Sequence, residues 1–255
     1  MHHFEDFIGI DYSGAKTATS RLKGLRVFHA SIDLEPIEVR TEVNERWHWT
    51  RKEIAEWLVS QINSDKVCIV GLDHGFSFPE SYFYRYEIRD WTHFLDDFVE
   101  HWPLHEPHEF VDRIRDDGVV RIGTPDELRL SEKWTSSAKS VFRFDVQGQV
   151  AKSTHTGIPW LLHLKEQCGE RIHFWPFDGW LIPEGKSVVA EVYPSLFSKR
   201  YPRNDRTADQ QDAYATATWL AECSRIGRLQ NYLEPSLTEE EKRIALLEGW
   251  ILGVA

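Results

Sequence analysis

Apolar runs that end in an acid constrain this chain more than any other feature. FIGID ends at Asp11, VCIVGLD ends at Asp73, and KSVVAEVYP carries Glu191 within its apolar stretch. A fourth acid, Asp212, lies in the opening turns of the Ala-rich segment TADQQDAYATATWLA. A carboxylate at the end of a buried strand is costly unless it is paired, hydrogen-bonded or bound to a cation. The order strand, strand, strand, helix therefore suggests a cluster of acids gathered around divalent metal.

Composition bounds the answer. At 255 residues and 41% apolar, the chain has material for one large domain with a full core. A net charge of −11 argues against a sequence-independent nucleic-acid coat, which needs a broad positive surface. A local basic groove stays open. The densest basic stretch, SKRYPRNDR, carries Lys199, Arg200, Arg203 and Arg206 and reads equally as a solvated loop or a contact surface. No window has the run of about 18 apolar residues that a membrane span needs. The N-terminal stretch lacks the basic region of a secretory leader. Cys68, Cys168 and Cys223 are odd in number and far apart, which reads as reduced thiols in a cytoplasmic protein.

Along the chain, FIGIDYSG reads as a buried strand with a turn at Gly14. TATSRL and LRVFHASIDL read as hairpin strands about Lys23-Gly24. Thr50 with Glu53 has capping-box spacing at the head of TRKEIAEWLVSQI. VCIVGLD is the near-continuous apolar run of a central strand. SYFYRYEIRDWTHFLDDFVEHW predicts an interrupted helical stretch, and IPWLLHLKEQCG a helix closed by Gly169. RIHFWPF and KSVVAEVYP predict two more strands, and EEKRIALLEGWIL a last helix. Residues 75–186 read as an insertion between the fourth and later strands that walls or lids a site. The whole, 1–255, reads as one α/β domain: a mixed sheet with helices on its faces.

Each acid has a plainer explanation beside the metal one. Asp11 and Asp73 suit turn capping, since Asp side chains bond backbone N–H groups two residues on. Glu191 suits the exposed side of an edge strand, as does Pro194. Thr207 with Gln210 again has capping-box spacing, and a dipole preference accounts for Asp209 in the first turn. Asp212 lies beyond the unpaired N–H groups, so capping does not account for it. Three residues apart, Asp209 and Asp212 share one side of the helix, at the head of a packing face of Ala213, Ala217, Leu220 and Ala221. Hard oxygen ligands without Cys or paired His suit Mg²⁺ or Mn²⁺. His74 and His155 are candidate proton carriers.

GIDYSG, GLDHG, EVYP and DQQDA, in that order, resemble the RNase H-like superfamily. The likeness is strongest to an uncharacterised family of RNase H-fold nucleases. The DQQDAYATA segment is similar in spacing to the acidic helix of RuvC-type resolvases. The resemblance implies a five-stranded mixed sheet in which Asp11, Asp73, Glu191 and Asp212 bind metal, with Asp209 alongside. The leading function is a metal-dependent nuclease, with Ser13, Lys139, Arg143 and Lys152 as candidate substrate contacts and Trp134 as a candidate stacking surface for bases. Two other functions compete. One is a nucleotide-binding relative of the actin and sugar-kinase type, whose phosphate loops Asp11-x-Ser-Gly and Asp73-x-Gly resemble. The other is a non-catalytic binding protein. RNA, DNA and small phosphodiesters stay open as substrates, and the sequence does not address oligomeric state.

Overall fold

A computed structural model describes residues 3–32, 34–41, 48–118, 121–135, 138–144 and 150–254. Parts of the expected 75–186 wall, namely 119–120, 136–137 and 145–149, lie outside these residues.

The chain opens as a meander. Strand β1 (Asp6–Asp11) pairs antiparallel with β2 (Arg26–Ser31), which pairs antiparallel with β3 (Ile37–Glu38). Helix α1 (Arg51–Ile62), capped by the Thr50–Glu53 box, crosses to β4 (Cys68–Asp73), which lies parallel to β1. Among the described residues five helices follow: α2 (Glu80–Arg85), α3 (Trp91–His101), α4 (Val111–Asp116), α5 (Leu130–Trp134) and α6 (Val150–Cys168). Strands β5 (Ile172–Trp175) and β6 (Ser187–Glu191) complete the sheet, both parallel to their neighbours. Helices α7 (Ala208–Arg225), α8 (Leu229–Leu233) and α9 (Glu239–Glu248) end the chain. The fold is α/β, a mixed six-stranded sheet in the order β3-β2-β1-β4-β6-β5 with helices on both faces.

Period 2 divides the strands between two cores. Ile8, Ile10, Val70, Leu72 and Val189 meet α1, α3 and α6 on one face. Phe7, Ile69, Val188 and Ala190 meet α7 on the other. The expected packing face of α7 is correct: Ala213, Ala217, Leu220 and Ala221 are all buried. Trp219 and Trp250 are core residues too.

Several expectations are corrected. TATSRL forms no strand. Thr17 and Ser20 close a turn on one another, the Ser20 N–H donating to the Thr17 carbonyl and the two hydroxyls lying 2.9 Å apart. Such local bonds compete with a ladder. The third strand of the meander is instead Ile37–Glu38. Helix α6 begins at Val150, eight residues before the expected Ile158, and runs through Pro159. Ser, Thr, Gly and Pro disfavour helix, but residues 153–161 are buried without a break, and packing overrides propensity. The last helix stops at Glu248 because Gly249 takes φ +80. The chain beyond it is extended, and Leu252 bridges Val192 in parallel. Strand β6 lies between β4 and β5, so Glu191 is on an interior strand, not an edge. Among the described residues no helix is long and apolar enough to cross a membrane.

A candidate carboxylate site at the strand ends

Two Gly-x-Asp sequences build this site. In the parallel register of β1 and β4, Gly9 lies opposite Gly71 and Asp11 opposite Asp73. Alternation puts each Asp on the same side as its Gly, the side that α7 covers. The glycines set how close α7 can come. A Cβ on Gly9 would lie 2.2 Å from the Ala213 carbonyl oxygen and 2.6 Å from the Ala217 nitrogen. One on Gly71 would lie 2.7 Å from the Thr216 methyl. With the helix seated on bare backbone, its first turns bring Asp209 and Asp212 to the two strand-end carboxylates. The Thr207–Gln210 capping box forms as expected. The Gln210 amide also donates to both carboxylate oxygens of Glu38, at 3.1 and 3.0 Å, which ties the helix start to the meander.

Electrostatics ties the four together. Burial raises the Asp11 pKa well above the ordinary carboxylate range, and the charges of Asp73, Asp209 and Asp212 add to it. Burial and the Asp212 charge push Asp73 up to about 8. A hydrogen bond between Asp11 and Asp73 raises the first and lowers the second. Asp212 is raised by burial, while a hydrogen bond from Ser198 counters the shift. A shared proton is one answer to like charges at close quarters; a cation is the other. Among the described residues no three His, Cys, Asp or Glu side chains form a ready-made metal cage. The donor set is nevertheless four hard carboxylates.

Glu191 is differently placed. It lies opposite Leu72 in the β4–β6 register and shares that residue's face of the sheet, away from Asp11. Buried Arg129 grips both its oxygens, at 2.6 and 2.5 Å, and the Phe76 N–H donates to it at 3.1 Å. The same guanidinium bonds Glu132 at 2.8 Å and the Glu248 carbonyl at 3.3 Å. The Glu248 carboxylate in turn accepts from the backbone of Glu80 and Leu130. Glu191 still lies close enough to Asp73 to raise its pKa.

The expected substrate contacts divide. Ser13 and Asp209 both approach Gly24, where a Cβ would lie 3.4 Å from Ser13 Oγ and 3.8 Å from Asp209 Oδ2. Lys139 lines a pocket with Asp73, Arg129, Glu191 and Tyr193. Lys152 bonds Asp112 at 2.6 Å. Arg143 is exposed and does not line that pocket. Trp134 is 44% exposed and rests edge-on against Trp250. In the basic loop, Arg206 lies over the Tyr214 ring at 3.6 Å, and its Nε donates to Gln211. Both candidate histidines are buried. Burial lowers His74 to about 4 and His155 to about 3; His74 is wedged against Gly157, and His155 sits among Phe78, Trp102 and Phe144. Cys68, Cys168 and Cys223 are free and buried.

Sequence reasoning missed Arg129, Glu132 and Glu248, which nothing local distinguishes from surface charges. It also missed the doubled Gly-x-Asp, whose signal was present in FIGID and VGLD. Comparisons with protein-family models, curated proteins and solved structures find no match to this chain.

Proposed function

We propose that the chain is an RNase H-like, metal-dependent nuclease that hydrolyses phosphodiesters at the Asp11–Asp73 strand ends. The observation that carries this reading is the parallel register that sets Asp11 beside Asp73 on adjacent strands, with Asp209 and Asp212 brought near them by α7. Asp11, Asp73 and Asp212 would hold Mg²⁺ or Mn²⁺, with Asp209 alongside. Bound there, the ion would polarise phosphoryl oxygens and lower the pKa of the attacking water. The residues of the chain do the rest. Gly9 and Gly71 let α7 close over the strand ends and limit water around the acids. Ser198 orients Asp212. Glu191, satisfied by Arg129, fixes the strand end beneath Asp73 rather than joining the metal shell. Lys139 is the exposed cation beside Asp73 and is suited to a substrate phosphate. The helices between β4 and β5 supply a wall on the other face.

The test is cleavage of labelled single- and double-stranded RNA and DNA, a hybrid and a four-way junction, with Mg²⁺, Mn²⁺ or EDTA. Metal-dependent cleavage that disappears in Asp11→Asn supports the reading and names the substrate. No cleavage of any of these substrates removes it.

A further inference from the structure

A fully buried arginine with no carboxylate partner needs a reason to be there, because burying an unpaired charge is strongly unfavourable. Arg51, at the start of α1, is fully buried and has no carboxylate partner among the described residues. Its Nη1 donates to the carbonyls of Ser13 at 3.0 Å and Ala15 at 2.8 Å, and its Nη2 to that of Lys16 at 3.0 Å. Its Nε is buried without an acceptor among the described residues. The guanidinium thus binds almost wholly to one loop, the one that follows Asp11.

That arrangement orients the other side of the loop. In a trans peptide the C=O of one residue is opposed to the N–H of the next. Drawing the carbonyls of Ser13, Ala15 and Lys16 inward turns the N–H groups of Gly14, Lys16 and Thr17 away from Arg51. Among the described residues none of the three has an acceptor. Lys16 takes φ +55, and a left-handed residue within such a run curves successive N–H groups into an anion-binding concavity. The loop is also held from the side: a Cβ on Gly14 would lie 2.2 Å from the Lys152 carbonyl carbon. Ala15 and Lys16 are open to solvent.

We propose that Ser13–Thr17 is a phosphate-binding loop, in which the N–H groups of Gly14, Lys16 and Thr17 take phosphoryl oxygens and Arg51 holds the loop from behind. The choice of a phosphoryl group as ligand rests on the phosphodiesterase reading. The loop lies directly after Asp11, so a phosphate held there sits at the edge of the carboxylate site. Arg51 is a positioning residue that touches the loop and not the ligand.

The experiment is titration of the ¹⁵N-labelled full chain with inorganic phosphate, in EDTA and then in Mg²⁺, followed by amide NMR shifts. Saturable shifts centred on Gly14, Lys16 and Thr17 in either condition are expected. Arg51→Gln weakens them about tenfold, equivalent to ~1.4 kcal/mol. Lys16→Asn, which keeps the N–H and loses the charge, leaves them in place. The proposal fails if those amides stay still in both conditions, or if Lys16→Asn abolishes binding. Should Arg51→Gln not fold, the wild-type and Lys16→Asn titrations decide alone. Adenosine triphosphate and a phosphorothioate-linked dinucleotide, titrated next, distinguish a terminal phosphate from a backbone diester by which moves the same amides at lower concentration. Cleavage without the shifts removes the loop and keeps the nuclease; shifts without cleavage do the reverse.

Discussion

Asp11 and Asp73 are the residues at which structure and chemistry most oppose each other. Both are raised above the ordinary carboxylate range, so the folded protein binds more protons than the unfolded chain between about pH 4 and 8. Stability linked to such groups is complete below the unfolded pKa and is lost as pH rises through the folded one. Metal-free protein is therefore expected to melt at a lower temperature at pH 8 than at pH 5, by several degrees. Calorimetry in EDTA checks this, and Asp73→Asn should flatten the slope. Mg²⁺ in excess should restore the melting temperature at pH 8, because a ligand that binds only the folded state stabilises it. Asp11→Asn removes one member of the repelling pair. It is expected to raise the metal-free melting temperature while cutting cleavage by about 10³-fold or more, equivalent to ~4 kcal/mol. A variant that lost both stability and activity would mean that the pair is structural.

At the scale of elements, the contact between α7 and β1 decides whether four acids meet at all. The Gly9→Ala methyl has no space against the Ala213 and Ala217 backbone, which cannot swing away as a side chain can. Overpacking of this kind costs about 1–3 kcal/mol. The helix that would have to shift is the one that carries Asp209 and Asp212. Gly9→Ala should thus lower stability and weaken Mg²⁺ binding together, as read by denaturant unfolding and isothermal titration. Gly71→Ala meets a methyl and valine side chains that can adjust, so its effect should be smaller. The capping boxes at Thr50 and Thr207, the α7 packing face and the end of α6 at Gly169 were legible because each depends on a few neighbouring residues. The start of α6 was not, because distant packing overrode the local preferences of its residues; TATSRL was not, because the turn that Thr17 and Ser20 close on one another took the place of a ladder.

Across the whole molecule, Arg129 links α5 to the end of β6 and to the C-terminal end of α9. Arg129→Met would leave Glu191 and Glu132 buried without their cation, a loss of about 3–5 kcal/mol for breaking a buried pair. Chemical denaturation measures it. A loss under 1 kcal/mol would show that the network is dispensable. The charge balance bears on substrate affinity too. The net charge is −11, and two candidate cations are already engaged, Lys152 by Asp112 and Arg206 by Gln211 and the Tyr214 ring. Affinity for single-stranded nucleic acid should fall with salt at a slope of magnitude about 2 or less on logarithmic axes. A slope of magnitude 5 or more, read from binding isotherms across salt concentrations, would mean that a larger basic surface takes part.

Sequence alone determined the strand-ending acids, their order, the caps and the α/β alternation, because periodicity and capping act over a few residues. It identified Asp11, Asp73, Asp209 and Asp212 one at a time, each with an ordinary explanation as a turn or helix-end acid. Only tertiary structure decided which of them meet. The parallel register set Asp11 beside Asp73, and two bare glycines let α7 descend onto them. Period 2 turned Glu191 to the opposite face, where Arg129 holds it from 62 residues away in the chain. Such pairings depend on long-range register and on buried charges finding partners, and no local stretch of residues carries that information.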